Sequence, residues 1–333
     1  MKNETNCLIC GDKAILIEEL SGYQEPDSFK VYECQKCDTS FSLPLIDTSS
    51  IYENIYRNSQ KIPGYNRYDF YHKKVKKVKK PLEYLAKSEE AYWVVKEALS
   101  INRISGKILE VGSGLGYLTY SLRKEGFDVI GLDISENAVS NAINNFGDYY
   151  LCEDVNKYAD NHEGEYDAII LTEVIEHLND PITMLKSLIK ILKIGGIIIL
   201  TTPNKTFINS SNNLSWAIEL PPIHYFWFSE KSMKCISNII SADISFIDFT
   251  KYYSEREPLI LEGVLNLEPF LDENGLLKKK YDINPKLIKI KFQLSRINFF
   301  VKLSKILFKK ARTPNNYKLG KRGFSMGCIF QKK

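Results

Sequence analysis

The sequence has no long hydrophobic run. No apolar stretch in its 333 residues approaches the ~20 that a membrane-spanning helix needs. The first residues, MKNETNCLIC, lack the pattern of a secretory leader, so the cytoplasm is the expected address. No internal repeat is present, which sets aside a repeat architecture. Histidine is scarce, with four in the chain, so any site built on imidazole has few residues to draw on. Acidic residues are missing from 283–333, a tail that holds 14 of the 45 lysines and arginines. With a formal net charge of only +4, the chain is therefore unevenly charged, and the basic tail is a feature of its own.

What remains is enough for a full α/β domain with smaller pieces attached, in a composition typical of globular proteins. The stretch Lys107–Thr119, KILEVGSGLGYLT, reads as a buried strand, a glycine turn and a helix start. Gly112, Gly114 and Gly116 permit sharp dihedrals and let the backbone approach a ligand closely. The helix that follows points free N–H groups at the same place. A second apolar strand, Phe127–Asp133, ends in an acid 21 residues beyond Gly112. That is about the ~20-residue distance at which a dinucleotide fold places the carboxylate that binds ribose hydroxyls.

Four segments in order, EVGSGLG, GLDIS, YDAIILTEVIEHLNDP and LKIGGIIILTTPN, resemble the successive signatures of class I S-adenosylmethionine-dependent methyltransferases. The resemblance covers Glu83 to Tyr253 plus the last strand. It implies an α/β, Rossmann-like sheet of seven strands in the order 3-2-1-4-5-7-6, with strand seven antiparallel between five and six. It implies S-adenosylmethionine as cofactor. On the family pattern, Gly112, Gly114 and Gly116 run under the methionyl part. Glu110 supports the turn and the cofactor's amino end, and Asp133 accepts both ribose hydroxyls. Asp154 matches the contact to the adenine amino group, with Glu153 the alternative one residue away, and Glu173 joins the cofactor side.

Ahead of this domain, Cys7-Leu-Ile-Cys10 and Cys34-Gln-Lys-Cys37 are two CxxC pairs separated by 23 residues. The spacing fits a tetrahedral Cys₄ zinc ribbon over residues 1–50, with strands at Ala14–Leu20 and Phe29–Glu33. Disulfides are the alternative, disfavoured by the expected address. Four cysteines leave no open coordination position, so the zinc would be structural. Residues 51–82 read as a linker rich in tyrosine and lysine. Its charge run is either a solvated helix face, the preferred reading, or a surface for nucleic acid or a glycan. The methyltransferase domain is expected over 83–333, opening with an amphipathic helix at Glu83–Leu99. Strands follow at Tyr149–Cys152, Tyr166–Leu171, Gly196–Leu200, Ile244–Thr250 and Gly323–Gln331. Helices are expected at Ser135–Asn145, Asp180–Leu192 and Ser229–Ile240. An insertion at 255–320 separates the last two strands and includes the basic stretch Lys286–Lys310. That stretch has two readings, a helix packed on the domain with a solvated basic face or a helix lying on an anionic membrane.

The acceptor side centres on Glu173-Val-Ile-Glu176-His177 and on His224. Histidine titrates near neutrality, so His177 or His224 is a candidate base for a hydroxyl proton, or shapes the pocket. If the first stretch is helical, Glu173, Glu176 and His177 share one face and, with His224, form a candidate Mg²⁺ or Mn²⁺ site. That set is similar to one in small-RNA 3′-terminal 2′-O-methyltransferases and ubiquinone-pathway O-methyltransferases. The aromatic residues Tyr225–Phe228 and Trp216 are expected to stack on an acceptor ring. The leading expectation is O-methylation of a sugar, glycan or secondary-metabolite hydroxyl. The alternatives are an RNA ribose 2′-O-methyltransferase, a sugar C-methyltransferase, and a binding or scaffold protein. The second of these is also suggested by the ribbon, although those enzymes carry a longer C-terminal domain.

Overall fold

Strands of a parallel sheet are buried on both faces, and their sequences are near-continuously apolar. β5 (Lys107–Val111), β8 (Tyr166–Thr172) and β9 (Leu192–Pro203) are of this kind. Successive side chains point to opposite faces. Ile108, Ala168, Ile170, Ile197 and Ile199 accordingly fall in one hydrophobic cluster, and Leu109, Val111, Ile169, Leu171, Ile198 and Leu200 in another. With β6 (Asp128–Asp133), β7 (Tyr150–Cys152), β11 (Ala242–Phe246) and β12 (Ser325–Lys332) they form a seven-stranded sheet. Its order is β11-β12-β9-β8-β5-β6-β7, which is 3-2-1-4-5-7-6 from the other edge, as expected. β12 runs antiparallel to both β9 and β11, and the remaining pairs are parallel.

The computed structural model describes residues 3–22, 28–48, 51–52, 66–206, 221–255, 272, 278–279 and 321–333. The basic stretch Lys286–Lys310, Trp216 and nearly all of the expected insertion lie outside them. Among the described residues, no helix is long and apolar enough to cross a membrane.

One sheet face is covered by α2 (Pro81–Ser88), α3 (Glu90–Ile101), α4 (Tyr117–Lys124) and α5 (Glu136–Phe146), together with Tyr71 and Val75. The single helix expected over Glu83–Leu99 is two. Pro81 opens α2 from its first turn, where its missing N–H costs nothing. Glu89 breaks the run in an extended conformation, with its carboxylate taken up by the Tyr71 hydroxyl at 2.8 Å and by Arg67 at 3.0 Å. The expected linker contains α1 (Asn66–Lys74), whose Tyr71 and His72 are buried; its Lys73, and Lys76, Lys77, Lys79 and Lys80 beyond it, face solvent. The other sheet face carries α6 (Val155–Ala159), α7 (Pro181–Ile191) and α8 (Glu230–Ile239). β11 stops at Phe246 rather than Thr250. There Asp248 accepts the Thr250 backbone N–H at 2.8 Å and turns the chain into α9 (Thr250–Ser254).

The cysteine segment forms β1 (Glu4–Asn6), β2 (Lys13–Ser21), β3 (Ser28–Cys34) and β4 (Ser40–Leu43). A fifth strand, β10 (Phe226–Trp227), comes from the other side of the chain and pairs antiparallel with β4. The ribbon core is continuous with the sheet core, since Ile9, Phe29 and Phe41 share a cluster with Leu171, Tyr225 and Met233. This corrects one expectation. Tyr225, Phe226, Trp227 and Phe228 are at most 1% exposed, so they cement the ribbon to the domain and are not available to stack on an acceptor.

Candidate active site

The glycine turn leaves β5 with Gly112, Gly114 and Gly116 all in the left-handed region, at φ 74°, 49° and 77°. Two of these also lack room for a side chain. A Cβ on Gly112 would lie 2.6 Å from Val174, and one on Gly116 would lie 2.6 Å from both Ala142 and the Tyr150 ring. Gly116→Ala combines a left-handed penalty with overpacking against a buried ring. It is expected to cost about 2–4 kcal/mol, read as a lower urea midpoint at unchanged slope.

Asp133 closes the turn from the end of β6. One carboxylate oxygen accepts the Gly114 N–H at 2.7 Å and the other accepts the Ser135 N–H at 2.9 Å. Burial pushes this carboxyl up, and the two backbone N–H groups pull it back toward the charged form. Beneath the turn, Glu110 is buried and accepts the Thr119 hydroxyl. Its burial pushes the carboxyl up to about 8 against that hydrogen bond. A raised carboxyl contributes stability that is present below its unfolded value and lost as pH rises through the folded one. Wild-type stability is therefore expected to fall between about pH 4.5 and 8 by an amount on the order of a few kcal/mol. Glu110→Gln, which keeps an acceptor for Thr119, is expected to flatten that slope, as seen in urea titrations across the range. An unchanged slope would remove Glu110 as its source.

Asp154 caps α6, accepting the N–H groups of Asn156 and Lys157 at 3.0 and 3.2 Å, while Glu153 is exposed. Beside them Ile134 is 74% exposed directly after Asp133, an apolar surface with no partner in the core. Sequence reading passed over it. It also passed over Arg67, which lay in the presumed linker. Arg67 holds Glu89 and donates to the Tyr68 hydroxyl at 2.9 Å. It lies in the electrostatic reach of Glu173, whose carboxyl is pushed up to about 7 chiefly by burial.

The expected helix over Glu173–His177 is not formed. Glu173, directly after β8, is in the left-handed region at φ 55°, and only Ile175–His177 make a 3₁₀ turn. Glu173 is not among the ligand groups that converge there. One of its carboxylate oxygens is buried and makes no hydrogen bond among the described residues. Glu176, His177 and His224 do come together, each with a ligand atom within 4.8 Å of the others. The His177 Nδ1–H donates to the Ile223 carbonyl at 2.5 Å, which leaves Nε2 facing Glu176 at 3.8 Å. Burial holds the His177 imidazole down at about 4, so the ring is neutral at neutral pH. The His224 ring meets it edge-on at 4.5 Å, and its burial also favours the neutral form. Glu176 is fully buried and accepts the Thr202 hydroxyl at 3.0 Å.

The four ribbon thiols also converge. Cys7 and Cys37 sulfurs lie 3.6 Å apart, Cys10 and Cys34 sulfurs 3.5 Å, and none is in a disulfide. Tetrahedral bonds of about 2.3 Å to zinc separate sulfurs by roughly 3.8 Å, so the set fits that ion. Backbone N–H groups of Ile9 and Cys37 point at the Cys7 and Cys34 sulfurs at 3.4 Å.

Residues 82–236 match a family model described as a methyltransferase domain. The fold is that of a class I methyltransferase. Two curated relatives are ubiquinone biosynthesis O-methyltransferases. That of Erwinia tasmaniensis is 30% identical over 142 residues, covering 40% of this chain and 54% of its own. That of Pectobacterium atrosepticum is 35% identical over 104 residues, covering 30% and 43%. The chain thus spans about half the length of the curated relatives it matches. Among solved structures, a SAM dependent methyltransferase from Archaeoglobus fulgidus matches at 16% identity and a TM-score of 0.45, covering 72% of this chain and 91% of that one. The expected cofactor-side residues lie in or just after β5, β6, β7 and β8 of the seven-stranded sheet, and β10 pairs the segment beyond β9 with the ribbon.

Proposed function

We propose that this protein transfers a methyl group from S-adenosylmethionine to a hydroxyl oxygen of a small-molecule acceptor. The observation that carries the reading is Asp133, held by two backbone N–H groups at the end of β6, beside a left-handed glycine turn. Fixed in this way, its carboxylate is ready to accept both ribose hydroxyls. Ile134 offers an apolar surface for the adenine ring, with Asp154 or Glu153 beside it. The donor's amino-acid end is a zwitterion. The buried, unbonded oxygen of Glu173 suits its ammonium group, and the Arg67 guanidinium suits its carboxylate. A scaffold protein has no use for this set.

The acceptor side is the cluster of Glu176, His177 and His224. One carboxylate and two neutral imidazoles suit a transition-metal ion, Mn²⁺ among them, better than Mg²⁺, which prefers oxygen ligands and water. The Ile223 carbonyl fixes the His177 tautomer as an outer-shell partner should. A cation there would polarise an acceptor hydroxyl and a neighbouring oxygen. Methyl transfer itself is an in-line displacement, so the chain's task is to hold donor and acceptor in near-attack geometry. The relatives' names point to O-methylation in ubiquinone biosynthesis, and a sugar diol offers the same pair of oxygens. An RNA ribose does too and is the second acceptor class to test.

Incubation with isotopically labelled S-adenosylmethionine and Mn²⁺ against phenolic, sugar and single-stranded RNA acceptors tests the reading. Transfer of label to an oxygen of one acceptor is the expected result. Label found only on carbon or nitrogen would overturn it.

A further inference from the structure

The cluster just described hangs on a short segment, Ile223–Phe228, and that segment is held from two sides. On one side it joins the 3₁₀ turn, where Tyr225 N–H donates to the Glu176 carbonyl at 2.8 Å and the Ile223 carbonyl accepts His177. On the other side it joins the ribbon. Phe226 and Trp227 pair with Phe41 and Ser40 in β4. Ser42 N–H donates to the Tyr225 carbonyl at 2.9 Å, and the Tyr225 hydroxyl is hydrogen-bonded at Ile46. Among the described residues the two-residue strand β10 stands at the edge of this sheet, beside β4.

Lys205 is a second tie. It follows β9, and its side chain is fully buried. Its ammonium donates to the Asp38 carbonyl and carboxylate, each at 2.7 Å, and pairs with Glu33 at 2.8 Å. Its own N–H donates to the Phe228 carbonyl at 3.0 Å. Asp38 directly follows Cys37 and is itself left-handed at φ 61°. Such a conformation persists only where the surroundings enforce it. Here the Cys34–Cys37 knuckle does so, through Asp38 N–H to the Cys34 carbonyl at 3.1 Å and Cys34 N–H to the Thr39 carbonyl at 2.9 Å. The apolar side of the ribbon is packed on the sheet core, but the knuckle itself is shaped at the four sulfurs, which a metal would hold together.

We propose that the cysteine ribbon is the frame of the acceptor site, so that metal at Cys7, Cys10, Cys34 and Cys37 sets the positions of His177 and His224 through Lys205 and the β4–β10 pairing. The inference rests on reading these histidines as the acceptor side. Loss of zinc releases the knuckle, the buried ammonium loses its fixed partners, and the histidine segment loses the strand it is paired with. The donor side is built chiefly on β5, β6 and α4, away from these ties; Glu173, its part nearest to them, is held by β9 through its N–H to the Thr201 carbonyl at 3.1 Å, so the cofactor is kept.

The test uses the full chain labelled with ¹⁵N-histidine, observed by long-range ¹H–¹⁵N spectra. Three samples are compared with no other divalent cation present: zinc-loaded, zinc-stripped, and zinc-loaded Lys205→Met. The four histidines provide internal controls. The His72 Nδ1–H donates to the Leu115 carbonyl in the glycine turn at 3.1 Å, so His72 reports the donor side. His162 lies against Tyr158, remote from the ribbon ties. In the stripped and Lys205→Met samples His177 is expected to lose its Nδ1–H signature and His224 to shift, while His72 and His162 stay in place. S-adenosylhomocysteine affinity is expected to remain within about threefold. Unchanged His177 and His224 signals in both samples would overturn the proposal. So would a Lys205→Met protein in which all four signals move and S-adenosylhomocysteine binding is lost, since the tie would then support the whole fold. If the zinc-loaded wild type binds no S-adenosylhomocysteine, the activity reading fails, and the histidine spectra still decide this inference.

Discussion

Asp133→Ala is expected to raise the dissociation constant for S-adenosylhomocysteine by ~10²–10⁴, measured by calorimetry. The size follows from two charge-assisted hydrogen bonds to ribose hydroxyls, each worth about 1.5–3 kcal/mol. Both carboxylate oxygens are already oriented by Gly114 and Ser135, so little ordering cost offsets the gain. The substitution also releases the Gly114 N–H, which makes Asp133→Asn the necessary companion. Asparagine keeps a single acceptor oxygen, which can serve one backbone N–H and one ribose hydroxyl, while its NH2 faces the other backbone N–H. It is expected to fall between wild type and alanine, with a folded-state spectrum like that of wild type. An alanine variant that binds within about threefold of wild type would place the cofactor elsewhere.

Glu176→Gln is expected to lower methyl transfer by ~10²–10³ while S-adenosylhomocysteine affinity is retained, because a metal that polarises the acceptor is worth several kcal/mol in the transition state. Glutamine preserves the shape of a fully buried side chain and an acceptor for Thr202, so the fold is expected to survive. It removes the single negative charge among the three ligand groups. Chelation of wild type is expected to produce the same loss, with Mn²⁺ restoring more activity than Mg²⁺. Electron paramagnetic resonance of added Mn²⁺ gives a readout that needs no acceptor. One tight site beyond the ribbon is expected in wild type and none in Glu176→Gln. Full activity in excess chelator, or tight Mn²⁺ binding in the variant, would count against a metal at this cluster.

The proposed donor half was legible because its signals are local. A strand, a glycine turn and an acid at fixed spacing lie within Lys107–Asp133, and no distant contact is needed to read them. The sheet order came through the resemblance, which carried β12 to its place between β9 and β11. The acceptor half was less legible because it is made by long-range contacts. β10 is two residues long and pairs with a strand more than 180 positions away, so nothing around Phe226 announces it. The same aromatic run that suggested a stacking platform is buried by that pairing. Glu173 falls on one face with Glu176 and His177 only if the stretch is helical, and its left-handed φ after β8 shows that it is not. Arg67 was hidden by its setting in a lysine-rich run, and its role depends on Glu89, another residue whose place only the break between α2 and α3 reveals.

The most direct measurement is calorimetric titration of the zinc-loaded full chain with S-adenosylhomocysteine and, separately, with NAD. The glycine turn and Asp133 alone would serve a dinucleotide fold as well, whereas the order of the sheet and the charges at Arg67 and Glu173 suit an amino-acid-bearing nucleoside. One-to-one micromolar binding of S-adenosylhomocysteine and no heat with NAD is the expected result. Binding of NAD in its place, or of neither, would contradict the reading of this site as a methyl-donor pocket.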